Sequence, residues 1–565
     1  MLLSNYAHRI AKMFIKKVNL LFHTVRYLRI KQIFYRLYYG VYKVSPASLI
    51  KEAPALRSWK SAWDAPCVFK STLTDSGDVV YLNEKGCITS PSIWNDPERS
   101  KLWLYNLHYL NELNALESDS KEALLSQLLD KWIDENPPCV GNGWEPYPLS
   151  LRIVNLIKWF SNGKTTLKAE WIKSLAVQTD VLSRRIEYHL MANHLFANAK
   201  ALVFAGTFFE GEYAQKWFKK GLKILDQQIK EQFLRDGGHF ELSPMYHAIL
   251  LWDLCDLYNL ASSSGVLELK KRQVKWGAII QNALNWLDLM SHPDKNISFF
   301  NDAAFDIAPS VDDIQKYVNV LGLRTIKKNK KKKIEINWLE ESGYCVLNLA
   351  NNHKAILDVA KIGPNYQPGH AHADTLSFEL SLFGYRFLVN SGTSQYTISP
   401  QRQYERSTKA HNTVILNDED SSEVWSGFRV ARRAYPRGLM IKEAGEGIII
   451  SCSHDGYRKF NTQNIHHREW YFSATKLIMR DMIHGKYNTA ESRLFFHPDI
   501  EPSISVTGKI KCRLPDNKIV HIEMEGAKEV SIETSAWSPV FGGQLENYCL
   551  ITRFDRNELI TKIDW

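Results

Sequence analysis

Two hydrophobic periods divide this sequence into two parts. From about residue 100 to 325, apolar residues recur at the three- and four-residue spacing of amphipathic helices, with short Gly, Pro and Asp breaks between runs. Runs with this spacing are Lys121 to Glu135, Leu149 to Phe160, Trp171 to Leu190, Asn193 to Phe209, Tyr213 to Phe233, Tyr246 to Ser263 and Lys270 to Leu289. Successive helices of this length indicate a helical barrel or toroid, and an irregular helical solenoid is the alternative.

After Lys333 the period changes to two. Short alternating runs, punctuated by Gly, Asn and Asp, are typical of an antiparallel sandwich. These runs are Tyr344 to Leu349, Ala355 to Val359, Gly447 to Cys452, Ile465 to Phe472, Leu477 to Ile483 and Val520 to Glu525. We therefore predict a boundary near 325–340 in a multidomain α + β protein, with a basic helical extension (1–94), a helical domain (95–330) and a β-sandwich (340–565).

The segment from Gly369 to Thr393 combines this alternation with titratable groups. His370, His372 and Asp374 share the parity of the apolar residues that follow them, so one strand would place all of them on one face. Histidines at the point where a buried sheet meets an opening suit proton transfer or metal binding, although a His-x-His pair is structural about as often.

Composition and charge narrow the classes of partner. The chain is 45% hydrophobic and 12% aromatic, which indicates a folded protein, and its net charge of +10 favours polyanions such as nucleic acid, anionic lipid or acidic polysaccharide. Nucleic acid is disfavoured because no reading motif accompanies the Lys327 to Lys333 run, which we interpret as a solvated connector. The eight scattered cysteines are interpreted as reduced core thiols.

The first residues are basic and amphipathic. Lys16, Lys17 and Arg26 interrupt the apolar runs, and neither a signal-peptide core nor a stretch long enough to span a bilayer is visible. A cytoplasmic location is the default expectation, and a periplasmic one is the alternative. For residues 8–43 we favour packing onto the rest of the protein over peripheral contact with anionic lipid.

Four ordered motifs carry a resemblance. MANHLFANAKALVFAG (191–206), DGGHFELSPMYH (236–247), GHAHADTLSFELSLFG (369–384) and RSTKAHNTVIL (406–416) resemble those of the heparinase II/III family of polysaccharide lyases, relatives of the oligoalginate lyases. The resemblance implies an α/α toroid, an incomplete helical barrel, followed by an antiparallel β-sandwich. It also implies β-elimination at a uronic acid, in which the C5 proton is removed and the bond to the 4-oxygen breaks.

The resemblance assigns catalytic roles to four residues. Asn193 hydrogen-bonds the substrate carboxylate and His194 assists it, Tyr246 is the general acid and on some substrates the base, and His370 is the alternative base on the opposite face of the sugar. Elimination needs these roles because the C5 proton is weakly acidic and carbanion charge must be stabilised. We expected nearby cations to lower the pKa of the Tyr246 phenol. Lys200 is interpreted as a solvated cation.

The resemblance also implies a structural zinc. His372 and His411 match two of its ligands, whereas Asn390 stands where the metal-binding relatives have an aspartate. A neutral amide oxygen is a poorer zinc ligand, so we expect reduced affinity. No organic cofactor is expected.

Further residues are candidates for contact with the substrate. Tyr396 can stack on a sugar or hydrogen-bond to it, and Glu145, Arg406, Arg429 and Arg433 can line a groove. The predicted function is a lyase that acts on an acidic, uronate-containing polysaccharide, such as capsule, exopolysaccharide or O-antigen material. The alternatives are a uronate C5-epimerase and a non-catalytic polysaccharide-binding or assembly protein.

Overall fold

Helices dominate residues 2–41 and 101–320, and antiparallel strands dominate the residues after 334. The predicted helical extension (1–94) is helical only as far as Val41, because residues 42–100 form irregular backbone, short 3₁₀ turns and one β-hairpin. The computed structural model describes residues 2–323, 334–458, 463–506 and 508–565, with the side chains of 2–13 excepted. The predicted Lys327 to Lys333 connector lies outside the described residues.

The helical region agrees closely with the predicted runs. Its helices are α1 (Leu2–Val25), α2 (Ile30–Val41), α3 (Lys101–Tyr109), α4 (Glu122–Glu135), α5 (Pro146–Phe160), α6 (Ala169–Arg184), α7 (Ala192–Phe208), α8 (Gly211–Gln232), α9 (Pro244–Ser264), α10 (Leu267–Leu289) and α11 (Val311–Val320). A short α12 (Pro400–Arg406) follows within the second region. The predicted Trp171 to Leu190 helix ends early, at Arg184.

Helix α7 is central to the helical region because it is buried along nearly its whole length. It packs against α5 on one side and α8 on the other, while α9 packs against α10. Gly206 and Gly221 permit the close approach of α7 and α8, since a Cβ at Gly206 would lie 2.6 Å from the Phe218 Cβ. The residues of α7 that face the sandwich are therefore held rigidly.

All strand pairs in the sheets are antiparallel. The strands are β1 (Asp78–Tyr81), β2 (Glu84–Cys87), β3 (Ile334–Leu339), β4 (Tyr344–Leu349), β5 (Lys354–Asp358), β6 (Phe378–Leu382), β7 (Tyr385–Leu388), β8 (Val414–Leu416), β9 (Val424–Trp425), β10 (Arg429–Val430), β11 (Pro436–Ala444), β12 (Gly447–His454), β13 (Ile465–Phe472), β14 (Lys476–His484), β15 (Ala490–Phe495), β16 (Glu501–Ile504), β17 (Ile510–Arg513), β18 (Ile519–Glu525), β19 (Glu529–Val540), β20 (Gly543–Phe554) and β21 (Glu558–Asp564).

Two large layers form the predicted β-sandwich. One sheet has the order β11-β12-β13-β14-β21-β18-β17-β16, and it packs through a shared apolar core against the β3-β4-β5-β6-β7 and β19-β20-β15-β8 sheets. A second apolar cluster joins Trp286 and Phe300 of the helical region to Tyr344 and Ile356 of the sandwich. The two regions therefore share buried contacts on the side where β4 and β5 lie.

The predicted long strand that carries His370 and His372 is wrong. Only Phe378–Leu382 forms a strand, and residues 369–377 are turns and irregular backbone. Leu376 has a left-handed φ of 65°, which ends the extended conformation, and the Ser377 N–H turns back onto the Asp374 carbonyl at 2.8 Å. Alternation alone does not distinguish this loop from a strand.

The N-terminal helices bridge both regions, as we expected. Trp425 donates from its indole to Thr24 at 3.1 Å, Gln32 donates to the carbonyl of Tyr366 at 3.2 Å, and Tyr39 donates to that of Ile186 at 2.8 Å. Within the described residues, no helix is long and apolar enough to cross a membrane.

Candidate functional site

A cavity of about 1220 Å³ lies between the helical region and the sandwich. Tyr147, Asn193 and Tyr246 line it from the helical side, and His370 and Tyr396 line it from the sandwich side. A cleft between two rigid bodies is a frequent place for ligand sites, and aromatic side chains suit the apolar faces of sugar rings.

Asn193 lies in the first turn of α7, immediately after a strained segment. Met191 (φ 66°) and Ala192 (φ 50°) adopt left-handed backbone that non-glycine residues adopt at a cost. This turn lets the Asn193 N–H donate to Glu241 Oε1 at 3.3 Å. The buried Asn193 Oδ1 has no hydrogen-bond partner within the described part of the chain, so this oxygen can accept a hydrogen bond from a ligand. A carboxylate would instead accept from the Asn193 Nδ2.

His194 faces the same cavity beside a carboxylate. Its Nδ1 lies 3.2 Å from Glu187 Oε1, and its ring packs 4.4 Å from the Tyr147 ring. Burial lowers the pKa of His194, but the Glu187 carboxylate outweighs burial and holds this pKa above its usual value. A protonated His194 is therefore favoured next to a bound anion.

Tyr246 is placed by the start of α9. The Ser243 hydroxyl caps the helix by accepting from the Tyr246 N–H at 3.2 Å, and Pro244 occupies the first turn. The Tyr246 hydroxyl lies 3.0 Å from that of Tyr396, and its ring stacks on His370 with 3.8 Å between centroids. Burial raises the pKa of Tyr246 well above its usual value, so the expected lowering by cations is wrong. The raised pKa favours the protonated phenol, which can act as a proton donor.

His370 is oriented by a buried carboxylate. Its Nδ1–H donates to Asp302 Oδ2 at 2.9 Å, and its Nε2 is directed towards Glu241, whose Oε2 lies 3.7 Å away. Burial raises the pKa of Asp302, but the Arg402 guanidinium and the His370 and His372 rings outweigh burial and hold this pKa well below its usual range. The fixed negative charge keeps His370 in the tautomer of a general base.

The stacking of Tyr246 on His370 differs from the predicted arrangement, in which these two groups lie on opposite faces of one sugar. Rings whose centroids are 3.8 Å apart leave no space for a sugar between them, so Tyr246 and His370 do not face opposite sides of one sugar in this structure. Their rings lie against each other where the helical and sandwich walls of the cavity meet.

The loop that carries His370 is fastened along its backbone. The His372 N–H donates to Asn301 Oδ1 at 3.0 Å, and the Ala373 N–H donates to the Arg406 carbonyl at 2.9 Å. The Arg406 guanidinium donates in return to the Ala371 carbonyl, with Nη2 at 2.9 Å. Arg406 is fully buried and does not line the cavity, so its expected contact with substrate is wrong. Its contacts hold the loop.

The other expected binding residues divide into two groups. Tyr396, Arg429 and Arg433 line the cavity. Glu145 does not, because its carboxylate pairs with Lys101 at 2.8 Å and accepts from the Tyr105 hydroxyl. Lys101 and Tyr105 themselves line the cavity, so Glu145 positions them.

Lys200 is not the solvated cation that we predicted. It is buried on the face of α7 that lines the cavity, and its Nζ lies 2.5 Å from both Asp253 Oδ1 and Asp256 Oδ2. Lys158 also pairs with Asp256, at 2.6 Å. The spacing of seven residues from Asn193 placed Lys200 on the correct helix face, but it gave no sign of the two carboxylates on α9.

Two of the expected zinc ligands meet. His372 Nδ1 lies 3.1 Å from His411 Nε2, while His372 Nε2 faces Asp302 at 2.8 Å and His411 Nδ1 faces the Ser407 carbonyl at 2.7 Å. Both outer nitrogens must donate to their acceptors, so two lone pairs face each other. Burial lowers the pKa of His372 to about 4 and also lowers the pKa of His411, which disfavours a proton between them. A metal cation fits the chemistry of this pair.

The third expected ligand is engaged elsewhere. Asn390 donates from Nδ2 to the Phe299 carbonyl at 3.0 Å, and its Oδ1 accepts from the Asn412 N–H at 3.3 Å. In the described ranges, no cluster of three or more His, Cys, Asp or Glu side chains is arranged to hold a metal. Zinc therefore stays a prediction, with His372 and His411 as the residues that would hold it.

Sequence reasoning missed three charged residues at the site, namely Asp302, Glu241 and Arg402. Arg402 forms a bidentate pair with Asp302, with Nη2 at 2.8 Å from Oδ2, and both side chains are fully buried. Glu241 lies inside the DGGHFELSPMYH motif, so its position beside Tyr246 was a usable signal. Asp302 and Arg402 carry no such signal.

The helical toroid, the antiparallel sandwich and the cavity between them, lined by titratable side chains, define the toroid-and-sandwich class of protein. Two family models match the chain and together cover most of it. They are "Heparinase II/III N-terminus" over residues 115–322 and "Heparinase II/III-like, C-terminal" over residues 331–565. The chain belongs to the heparinase II/III family.

Similar proteins support the assignment of family and fold. A heparin-sulfate lyase from Pedobacter heparinus is 26% identical over 347 residues, which are 58% of this chain and 49% of the relative, and one from Bacteroides stercoris is 27% identical over 255 residues, 42% and 38% respectively. These matches span half or less of each relative. The crystal structure of a heparinase III gives a TM-score of 0.65 at 17% identity, covering 87% of this chain and 80% of that one. A heparan sulfate lyase mutant from Pedobacter heparinus gives 0.58 at 18% identity, covering 86% and 81%.

Proposed function

We propose that this protein is a polysaccharide lyase that cleaves a uronate-containing acidic polysaccharide by β-elimination. The observation that carries the proposal is the stack of Tyr246 on His370 in the cavity that Asn193 and His194 also line. To these residues we assign a base, an acid and two groups that bind the substrate carboxylate.

The proposed reaction follows from the positions and chemistry of these groups. His370 Nε2 takes the C5 proton, the electron pair forms the C4–C5 double bond, and the bond from C4 to its oxygen breaks as Tyr246 donates its proton to that oxygen. Asn193 and protonated His194 bind the substrate carboxylate as charge develops on it. Burial raises the pKa of Glu241, and a protonated Glu241 reduces its repulsion of this anion.

The stack also favours one stereochemistry. Because the two rings are stacked and leave no room for a sugar between them, base and acid reach the same face of the sugar. The preferred uronate therefore carries its C5 hydrogen and its 4-oxygen on one face of the ring, as glucuronic acid does. Iduronic acid, with the opposite configuration at C5, is the disfavoured substrate.

The names of the relatives support heparan-type glycosaminoglycans as the first substrates to test. Arg429 and Arg433 at the cavity can pair with carboxylate or sulfate groups. We further propose that the natural polymer is an acidic glycan of the producing cell, from capsule, exopolysaccharide or O-antigen material.

The test is the near-ultraviolet absorbance of unsaturated uronate during incubation with a panel of acidic polysaccharides, in deuterated buffer. An absorbance rise with a glucuronate polymer, and a smaller rise with an iduronate polymer, supports the proposal. Deuterium at C5 without an absorbance rise identifies the epimerase alternative. Binding of the polymers with neither signal leaves the binding or assembly protein.

A further inference from the structure

The N-terminal helices expose two apolar stripes to solvent. On α1, Phe14, Ile15, Val18 and Phe22 follow the spacing of one helix face, and Phe14 and Phe22 are 68% and 63% exposed. Among described residues, these side chains together with Asn19 also line a shallow apolar groove of their own, apart from the main cavity.

Helix α2 repeats the pattern. Ile30, Phe34, Leu37 and Val41 are spaced four, three and four residues apart, and Ile30 and Val41 are 85% and 86% exposed. The helix packs onto the body through its other side, where Gln32 is buried and Tyr39 reaches the Ile186 carbonyl. The apolar stripe therefore remains outside after the helix has docked on its own chain.

The charge of the protein is concentrated on the same segment. Residues 1–51 contain ten Lys and Arg and no Asp or Glu, whereas the remainder of the chain carries equal numbers of each sign. Lys16, Lys17, Arg26, Lys31 and Arg36 are all exposed. The whole formal charge of +10 thus belongs to the segment of residues 1–51, which contains the two helices with exposed apolar stripes.

We propose that α1 and α2 form a docking surface for an anionic membrane. Aromatic and aliphatic side chains next to a ring of Lys and Arg are the combination that a lipid interface binds, with apolar groups among the acyl chains and cations at the phosphates. A second copy of the chain is disfavoured because two surfaces of equal positive charge repel. A free acidic glycan explains the cations but leaves the apolar stripes exposed.

Docking places the main cavity beside the bilayer. Leu21, Thr24 and Val25, which lie at the C-terminal end of α1 next to Phe22, line that cavity. If the proposed lyase activity holds, this position favours glycans that are attached to the same membrane. The docking surface itself does not depend on that activity.

The experiment is co-sedimentation of the full chain with vesicles of phosphatidylcholine alone or mixed with phosphatidylglycerol, without any polysaccharide. We expect binding to the mixed vesicles and weak binding to the neutral ones. Replacing Phe14, Ile15, Val18 and Phe22 with serine should reduce binding at least about tenfold. The matched control replaces two exposed apolar residues of α10, Leu267→Ser and Val274→Ser, and should bind as the wild type does.

A separate variant tests how much the lysines contribute to membrane binding. Lys16→Gln with Lys17→Gln should reduce binding to the mixed vesicles about tenfold or more, whereas Lys270→Gln with Lys271→Gln on α10 should not. Unchanged thermal unfolding establishes that each variant is folded.

No binding by the wild type, equal binding to neutral vesicles, or full binding by the serine variant overturns the proposal. So does a concentration-dependent dimer that the serine variant abolishes, because that result assigns the stripes to a second copy. Lyase activity on soluble polymer is measured separately, so failure of either proposal leaves the other standing.

Discussion

The two walls of the cavity hold their functional groups by different means. On the helical wall, Asn193 and Tyr246 lie in the first turns of α7 and α9, where helix geometry fixes both and Ser243 also caps α9. On the sandwich wall, His370 lies in irregular backbone, and a buried ion pair of Asp302 with Arg402 fixes its side chain.

The difference shows where each wall is vulnerable. A helix distributes its support over many equivalent hydrogen bonds, so changing one side chain removes a function and leaves the backbone in place. The loop depends on a few buried charges, and a buried charge without its partner costs several kcal/mol. We therefore expect the sandwich wall to respond to substitution with lost stability and the helical wall chiefly with lost activity.

The largest effect is expected for Asp302→Asn. This change leaves the Arg402 guanidinium buried without a carboxylate and removes the anion that orients His370, so the free energy of unfolding should fall by about 3–5 kcal/mol. Denaturant unfolding measures this. The control Asp226→Asn breaks an exposed pair with Arg272 and should cost less than about 1 kcal/mol. Equal losses in the two variants would contradict the role of the buried pair.

Lys200→Met tests the buried charge cluster of the helical wall, which depends on ion pairs as the sandwich wall does. The substitution leaves Asp253 without its cation, while Asp256 keeps Lys158, so we expect a loss of about 3 kcal/mol in the same unfolding assay. Adding Asp253→Asn to this variant should restore part of the loss. Lys216→Met removes an exposed pair with Glu212 on α8 and should leave stability nearly unchanged. A loss no larger than this control would refute the pairing.

The pH dependence sharpens the role of His194. Its pKa is raised, so the protonated form is present below that pKa and is lost as the pH rises through it, and kcat/KM should fall on the alkaline side. Glu187→Gln removes the group that raises the pKa, so the alkaline limb should move to lower pH. The exposed Glu170→Gln on α6 should leave the profile in place. An unmoved limb in Glu187→Gln would remove His194 from carboxylate binding.

The smallest effect is expected for Tyr396→Phe. This variant keeps the ring and loses the hydroxyl that lies 3.0 Å from that of Tyr246, so kcat should fall about fivefold, the value of one neutral hydrogen bond. The exposed Tyr385→Phe is the comparison and should retain full activity. A loss as large as that of a Tyr246 variant would make Tyr396 the acid instead.

The helical wall could be predicted from sequence further than the sandwich wall. Apolar spacing located α7 and α9, and motifs inside them placed Asn193 and Tyr246 near each other. The loop of residues 369–377 has the alternation of a strand, and only the Leu376 backbone and long-range hydrogen bonds make it irregular. Asp302 is 68 residues from His370 in sequence and 100 from Arg402, so no local pattern joins them. The sequence did not predict that Arg406 and Lys200 are buried, because the groups that they contact are also distant in sequence.

The most direct test of the lyase assignment is the rate of unsaturated-uronate formation by Tyr246→Phe on the best substrate of the wild type. The variant keeps the ring that stacks on His370 and loses only the acidic proton, so we predict a fall in kcat of about a thousandfold or more with unchanged thermal unfolding. A folded Tyr246→Phe variant that releases unsaturated uronate at the wild-type rate would contradict the account.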